Sequence, residues 1–210
     1  MLTHCALRIV ERLVKAINTT GSAQLAVSGG TSPLETFKIL SSTPINWDRV
    51  CVTLVDDRNV LPDHKDSNEA LIKSNLLVNF ASAAKFIPIF ENTTEVLGIR
   101  RPFDVTLLGM GVDGHFASLF PDMIESNLAG EKEAFDSNCL ASVLKVSPRG
   151  DPLHSRTTMN LSMILESRAI FLLVNGPEKL RSLEEARHNK SIPVHYLLSQ
   201  TKTPVIIEKS

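Results

Sequence analysis

The sequence predicts an α/β fold in which helices cover both faces of a mostly parallel sheet. Short apolar segments alternate along the chain with segments whose apolar residues recur at helical spacing. Most of the apolar segments are nearly continuous, which is typical of strands that are buried on both faces. Hydrophobic residues make up 43% of the 210 residues, enough for a sizeable core. We therefore expect one domain over residues 1–210.

The elements follow in order along the chain. An amphipathic helix is predicted for the first eighteen or so residues, because apolar residues recur there at helical spacing. Further helices are predicted over 33–40, 66–80 and 178–188, and Ser32 is placed to cap the first of these three. The predicted strands are 24–27, 50–55, 86–90, 103–108, 140–146, 156–161, 169–174 and 205–208.

Charge and cysteine content restrict the class of protein. The formal net charge of -1 provides no basic field for nucleic acid or an anionic membrane, so the expected partner is a small molecule. Cys5, Cys51 and Cys139 include no Cys-x-x-Cys pair, which argues against a disulfide framework or a structural zinc site. The first helix is too charged for a signal peptide, and no apolar segment is long enough to span a membrane. We expect a soluble cytoplasmic protein, either a monomer or a homodimer.

A candidate phosphate site lies between the strand 24–27 and the helix 33–40. Amides and hydroxyl groups converge there on a helix N-terminus, where the helix dipole favours an anion. The segment lacks the Gly-Lys-Ser/Thr ending of a Walker loop and the Gly-x-Gly-x-x-Gly fingerprint, so nucleotide binding is unsupported. The alternative is a tight turn with an ordinary serine cap. The candidate phosphate-binding residues are Ser28, Gly29, Gly30, Thr31 and Ser32.

A glycine-rich loop after the strand 103–108 is the most informative segment. Gly109, Gly111 and Gly114 free the backbone to approach a ligand closely. Asp113 and His115 supply titratable groups. Such a loop can hold a small anion beside a proton-transfer group. The alternative is a strand-to-helix turn with a solvated histidine.

Charged residues also follow the predicted strand 50–55. Asp56, Asp57 and Arg58 stand at its carboxyl end, where ion pairing could fix a charged site. A solvated charge cluster is the alternative. Ser67 and Asn68, a little later, are expected to cap the next helix and to do nothing more.

Two further cations and the remaining histidines complete the set of candidates. Arg156 begins a predicted strand, and Lys179 lies in a first helical turn, where a cation is unfavourable unless an anion is bound nearby. Ligands of open α/β sheets bind at the carboxyl ends of the strands, so we expect the candidate residues to share one site. The other histidines show no partner pattern and are interpreted as surface or structural residues: His4, His64, His154, His188 and His195.

In order and spacing, the segments 28–33, 56–58, 108–121 and 176–179 resemble the 6-phosphogluconolactonase family. The block of glycines and histidine is highly specific to the superfamily that also contains glucosamine-6-phosphate deaminase. Phe120, followed by Pro121, stands where the deaminase branch has a glutamate. Arg58 stands where that branch has a tyrosine. The sequence therefore resembles the lactonase branch.

The resemblance implies a Rossmann-like three-layer fold and hydrolysis of 6-phospho-D-glucono-1,5-lactone in the oxidative pentose phosphate pathway. It also implies that no metal and no cofactor is used. In this hypothesis His115 is the general base for water attack on the lactone carbonyl, and Asp113 orients it. The oxyanion would be stabilised by Arg58 and by loop amides from Gly111 to Gly114. Asp56 would hold a sugar hydroxyl.

Phosphate binding in this hypothesis falls to the 28–32 loop together with Arg156 and Lys179. The chain departs from the family in having Asp57 where a glutamate is usual, and Thr157 where an aliphatic residue is common. The segment between Phe90 and Phe103 is short, so one covering helix is expected to have only a turn or two. Two alternatives stay open: a sugar-phosphate isomerase or deaminase, and a non-catalytic sugar-phosphate sensor.

Overall fold

The computed structural model describes residues 2–90, 93–128, 130–131 and 133–209. The strands are β1 Ala23–Val27, β2 Val50–Leu54, β3 Asp56–Arg58, β4 Lys85–Ile87, β5 Val105–Gly109, β6 Val143–Arg149, β7 His154–Met159, β8 Ile170–Val174 and β9 Val205–Lys209. The α-helices are α1 Leu2–Thr20, α2 Leu34–Ser41, α3 Asn68–Asn75, α4 Thr93–Leu97, α5 Leu161–Leu165, α6 Pro177–Ala186 and α7 Val194–Ser199.

Six strands form a parallel sheet in the order β4-β2-β1-β5-β8-β9. Every neighbouring pair in this sheet is parallel. All five residues of β1 and of β8 are buried, as expected for strands covered on both faces. The predicted α/β fold, with a mostly parallel sheet flanked by helices, is confirmed.

A second sheet of three antiparallel strands was not predicted. It has the order β3-β7-β6, and Arg58 of β3 pairs directly with Arg156 of β7. The prediction placed residues 56–58 at the carboxyl end of the strand 50–55, but they form a separate strand. The main-chain N–H of Met159 donates to Val55 O at 2.8 Å. The chain therefore begins to pair with β7 directly after β2 leaves the parallel sheet. The sequence of residues 56–58 gives no sign of this pairing, because β7 lies about 100 positions further along the chain.

Several helix boundaries differ from the prediction. The helix predicted over 66–80 ends at Asn75, and a short 3₁₀ helix, Asn79–Ala83, follows it. Asn79 has φ of 51°, a left-handed conformation that a right-handed helix cannot continue through. The predicted Ser32 cap is wrong: α2 begins at Leu34, and Pro33 occupies the N-cap position without a side-chain hydrogen bond. The short helices α5 and α7 were not predicted.

The remaining expectations concern the covering helix, the cysteines and the membrane. The short covering helix falls partly on residues outside the described ones, and its described part is the five-residue α4. Cys5, Cys51 and Cys139 are free thiols, as their spacing predicted. None of the helices in the described ranges has the length and apolar character needed to cross a bilayer.

Candidate active site

A pocket of about 220 Å³ lies where β1 and β5 end and α6 begins. Pockets that bind drug-sized ligands commonly measure roughly 300–1,000 Å³, so this pocket suits a ligand smaller than a typical drug. Its lining residues are Ser28, Gly29, Gly30, Thr31, Ser32, Asp56, Arg58, Asn68, Gly109, Met110, Gly111, His115, Ala117, Arg156 and Lys179. The structure thus brings together every candidate residue except Asp57, Asp113 and Gly114.

The loop between β1 and α2 offers hydrogen-bond donors to this pocket. The main-chain N–H of Ser28 continues the parallel pairing by donating to Leu107 O at 2.8 Å, so this amide is not available to a ligand. The Ser28 hydroxyl is buried without a hydrogen-bond partner. Among the described residues, no acceptor is found for the main-chain N–H groups from Gly29 to Ser32. The Ser28 hydroxyl is a buried donor without a partner, which is costly, and together with the free main-chain N–H groups before the helix it favours a bound anion.

Asn68 lines the pocket, although the sequence indicated only a capping role for it. Ser67 is the N-cap of α3 and accepts from the main-chain N–H of Ala70 at 3.2 Å. The Asn68 Nδ2 group donates to Asp56 O at 3.0 Å, while its Oδ1 is buried without a partner. A Cβ at Gly29 would lie 2.0 Å from that Oδ1, so a glycine is required there. No sequence pattern placed Asn68 against this loop.

His115 and Asp113 form a hydrogen-bonded pair in the glycine-rich loop. The His115 Nδ1 lies 2.6 Å from Asp113 Oδ1. Burial acts to raise the pKa of Asp113, but the hydrogen bond and charge of His115 outweigh it and hold that pKa below its ordinary value. An ionised carboxylate only accepts, so in the neutral imidazole Nδ1 carries the proton and Nε2 keeps its lone pair. The pair therefore presents a base at Nε2.

The loop amides are largely used by the loop itself. The N–H of Gly111 donates to His115 O at 2.8 Å, and the N–H of Gly114 donates to Gly111 O at 3.2 Å. Gly114 has φ of 78° and packs against Ile192, whose Cγ2 would lie 2.2 Å from an added Cβ. It does not line the pocket. The expected oxyanion donors at Gly111 and Gly114 are therefore unavailable to a ligand.

Two arginines reach the pocket from the antiparallel sheet. The Arg58 Nη1 group donates to Asp66 O at 2.6 Å, and its Nε is buried without a partner. Arg156 is only 4% exposed and donates from Nε and Nη2 to the carbonyls of Arg149 and Pro152. Burial lowers the pKa of Arg156. These contacts fix both guanidinium groups with main-chain oxygens rather than with carboxylates, so their charge stays available to an anion.

Phe120 connects the histidine to one of these arginines. Its ring centroid lies 4.7 Å from that of His115, and the Arg156 Cζ lies 5.3 Å from the Phe120 ring centroid. An arginine over an aromatic face is held by a cation–π attraction. An aromatic side chain thus occupies the position beside the histidine.

Lys179 completes the positive side of the pocket. Its Nζ lies 3.4 Å from Ser32 Oγ, which joins the first turn of α6 to the loop before α2. Burial lowers the pKa of this lysine. The structure thus shows the unusual placement that the sequence indicated, a cation at a helix N-terminus.

The two neighbouring aspartates have different surroundings. Asp56 lines the pocket, and its Oδ2 accepts from the fully buried hydroxyl of Ser118 at 2.6 Å. Asp57 lies outside the lining and accepts the main-chain N–H groups of Arg58, Asn68 and Glu69 at 2.7, 2.7 and 3.0 Å. Neither aspartate forms an ion pair within the part of the chain that the structure describes, so the expected ion pairing with Arg58 is absent there.

Asp57 gives a prediction for stability against pH. Burial raises its pKa from 3.8 to about 6, against the pull of the three main-chain N–H groups. A carboxyl that binds its proton more tightly when folded stabilises the protein below the unfolded pKa and loses this contribution as pH rises through the folded pKa. We therefore expect the unfolding free energy of the wild type to fall relative to Asp57→Asn, by about 3 kcal/mol between about pH 4 and pH 8. Urea unfolding across this range measures it, and a constant difference would contradict it.

Three of the histidines interpreted as surface or structural residues have partners in the structure. His195 Nδ1 lies 2.7 Å from Ala186 O, which suits a structural role. His64 and His154 both approach Asp66, with ring centroids 5.8 Å apart. The sequence showed no partner pattern for these residues because the partners lie far away in the sequence or depend on a loop conformation.

Comparison with known proteins agrees with this geometry. A protein-family profile described as glucosamine-6-phosphate isomerases/6-phosphogluconolactonase matches residues 1–206. A 6-phosphogluconolactonase of Mesorhizobium japonicum is 36% identical over 94% of this chain and 86% of its own length. One of Neisseria meningitidis is 34% identical over 91% of this chain and 86% of its own length.

Solved structures agree as well. The crystal structure of a 6-phosphogluconolactonase from Shewanella baltica superposes with a TM-score of 0.88 at 34% identity, covering 100% of this chain and 92% of that one. A putative 6-phosphogluconolactonase from Neisseria gonorrhoeae gives a TM-score of 0.86 at 31% identity, with 99% and 94% covered. The chain therefore belongs to the family of glucosamine-6-phosphate isomerases and 6-phosphogluconolactonases.

Proposed function

We propose that this protein hydrolyses 6-phospho-D-glucono-1,5-lactone to 6-phospho-D-gluconate. The observation that carries the proposal is the His115–Asp113 pair, which presents a base to the same pocket as the cations and free amides. The relatives named as 6-phosphogluconolactonases support the same reaction. In this proposal the protein works in the oxidative pentose phosphate pathway of the cytoplasm, with neither a cofactor nor a catalytic metal.

The reaction begins with water attack on the lactone carbonyl. The lone pair on His115 Nε2 takes a proton from the water as its oxygen bonds to the carbonyl carbon. Asp113 holds the ring in the required tautomer and stabilises the resulting imidazolium. When the tetrahedral intermediate collapses, the bond to the ring oxygen breaks, and His115 returns the proton to that oxygen. The products are a carboxylic acid and a hydroxyl group.

The oxyanion of the intermediate needs a fixed positive group. The amides of Gly111 and Gly114 are used within the loop, and Val112 and Asp113 do not line the pocket, so we assign this role to Arg58. Its Nε is buried without a partner, so a bond to the oxyanion would satisfy a donor that has none. Asp56 keeps one carboxylate oxygen for a sugar hydroxyl, since Ser118 engages the other.

In this proposal the phosphate is held by the loop before α2 and by two cations. The free amides from Gly29 to Ser32 supply fixed donors, and Lys179 and Arg156 supply charge. A dianion leaving water needs both kinds of group. It would also offset the unfavourable position of Lys179 at the start of α6.

Phe120 distinguishes the proposal from a sugar-phosphate isomerase or deaminase. Such chemistry uses a carboxylate at this position to help ring opening, whereas Phe120 packs here on His115 and Arg156. A non-catalytic sensor would have no use for an oriented base beside its ligand. The position of Phe120 and the His115–Asp113 pair therefore both favour hydrolysis.

The test is a kinetic assay with freshly prepared 6-phosphogluconolactone, coupled to 6-phosphogluconate dehydrogenase. The expected result is hydrolysis clearly faster than the uncatalysed background. Absence of acceleration would overturn the proposal. Release of ammonia from glucosamine-6-phosphate would then identify a deaminase, and ligand binding without turnover of either compound would identify a sensor.

Replacing Lys179 should affect binding more than chemistry. A charge-assisted hydrogen bond contributes roughly 1.5–3 kcal/mol, so Lys179→Ala is expected to raise KM by about tenfold or more, with a smaller change in kcat. Lys190→Ala removes an exposed lysine outside the pocket and serves as the matched control. A KM unchanged in Lys179→Ala would show that the phosphate binds elsewhere.

A further inference from the structure

A second group of ligand-type side chains lies outside the pocket, at the antiparallel sheet. Within the described residues, His64, Asp66 and His154 are the one group of three whose potential metal-binding atoms all lie within 4.8 Å of one another. His154 Nε2 lies 2.9 Å from Asp66 Oδ2, and His64 Nδ1 lies 3.8 Å from the same oxygen. None of the three lines the pocket.

We propose that His64, Asp66 and His154 bind a divalent transition-metal ion of the zinc type. Two imidazole nitrogens and one carboxylate oxygen form a common zinc donor set, whereas calcium and magnesium prefer oxygen ligands alone. With metal–ligand bonds of about 2.0–2.2 Å, tetrahedral ligands stand a little over 3 Å apart. The observed separations lie on either side of that value, so small side-chain rotations would complete the site.

The exposure of the three side chains fits such a site. They are half-buried, with 40%, 22% and 27% of the side-chain surface of His64, Asp66 and His154 exposed. An ion can therefore enter from solvent and keep a water molecule as its fourth ligand. Without the ion, these groups form hydrogen bonds: the main-chain N–H of Asp66 donates to His64 Nδ1 at 3.1 Å, and His154 Nε2 donates to the Asp66 carboxylate at 2.9 Å.

The fold creates this cluster from distant parts of the chain. His64 and Asp66 belong to the loop between β3 and α3, while His154 begins β7 and is 88 positions from Asp66. An ion would cross-link loop and strand only in the folded protein. It would therefore stabilise the native state by mass action.

The ion would also support one arginine of the pocket. The main-chain O of Asp66 accepts from Arg58 Nη1. An ion bound by the Asp66 side chain would therefore hold in place the loop that positions the Arg58 guanidinium. A metal here takes no part in the reaction, so the site is compatible with metal-free hydrolysis.

Isothermal titration of Zn²⁺ into the full chain, first stripped with chelator, tests the proposal. We expect one equivalent to bind, and we expect His64→Gln and His154→Gln each to weaken it by at least about tenfold, since even the loss of an outer-shell partner costs 10–100-fold. His188→Gln, which alters an exposed histidine away from the cluster, should bind as the wild type does. His115→Gln should also bind one equivalent of Zn²⁺. That result would show that the ion binds at the cluster and not in the pocket, which His115 lines.

Thermal unfolding gives a second readout that does not depend on activity. At about 100 times the wild-type Kd, the ion should raise the Tm of the wild type by about 5–10 °C, and it should raise the Tm of His64→Gln and His154→Gln by about 3–6 °C at most, since a tenfold weaker site gains about half as much. Circular dichroism without metal checks that the variants fold. The proposal is overturned if the wild type binds no Zn²⁺ at about 100 μM, or if both variants titrate like the wild type.

Discussion

Replacing His115 with alanine is expected to reduce kcat by about 10²–10⁴-fold, because a positioned acid–base group usually contributes that much. KM should change little, since the cations and amides that hold the phosphate are untouched. The measurement is the coupled hydrolysis assay, with the uncatalysed rate subtracted. Because free lactone hydrolyses on its own, the background must be recorded at each substrate concentration.

The matched control is His188→Ala, an exposed histidine whose removal should leave kcat unchanged. Thermal unfolding of both variants checks that neither has lost its fold. A folded His115→Ala variant with wild-type turnover would remove this histidine from the mechanism. The activity would then need another base, and Asp56 is the remaining carboxylate in the pocket lining.

A single methyl group at Gly111 is expected to reduce kcat by about 10²-fold without changing any ionisable side chain. A Cβ there would lie 2.2 Å from both Nδ1 and Cε1 of His115 and 2.6 Å from Asp113 Oδ1. The ring and the carboxylate must separate to admit it. Misplacing a catalytic group by about 1 Å can cost this factor in rate. Kinetics of Gly111→Ala in the coupled assay measures the effect.

Gly98→Ala is the control for this variant. Its added Cβ would meet only ordinary contacts at 3.4 and 3.6 Å, and Gly98 lies outside the pocket lining. We expect it to keep wild-type kcat. Equal kcat for Gly111→Ala and the wild type, with both folded, would show that the His115–Asp113 geometry does not limit the rate.

Much of the parallel sheet and most of the candidate pocket could be predicted from local pattern. Apolar segments marked β1, β2, β5 and β8 to within a residue or two, because buried strands leave a nearly continuous apolar signal. Parallel strands end at one edge, so the motifs after β1 and β5 were expected to meet there, and they do.

The parts that were missed depend on pairing between distant residues. Asp56–Arg58 carries no strand pattern, and only the arrival of β7 makes it one. Asn68 looked like a helix cap because the loop that it contacts, at Gly29, lies far back in the sequence. His64 and His154 showed no relation until the fold placed both beside Asp66.

The direct pairing of Arg58 with Arg156 is expected to lower the stability of the protein while it serves the proposed reaction. Like charges on opposed positions of antiparallel strands repel, and the nearby Arg58 charge contributes to the lowered pKa of Arg156. A neutral side chain at either position would relieve that repulsion, yet it would remove charge that the proposed reaction needs. Selection for heat resistance alone would therefore favour loss of one arginine, whereas selection for turnover keeps both. The proposed substrate is an anion, so its binding between the two arginines would offset their repulsion.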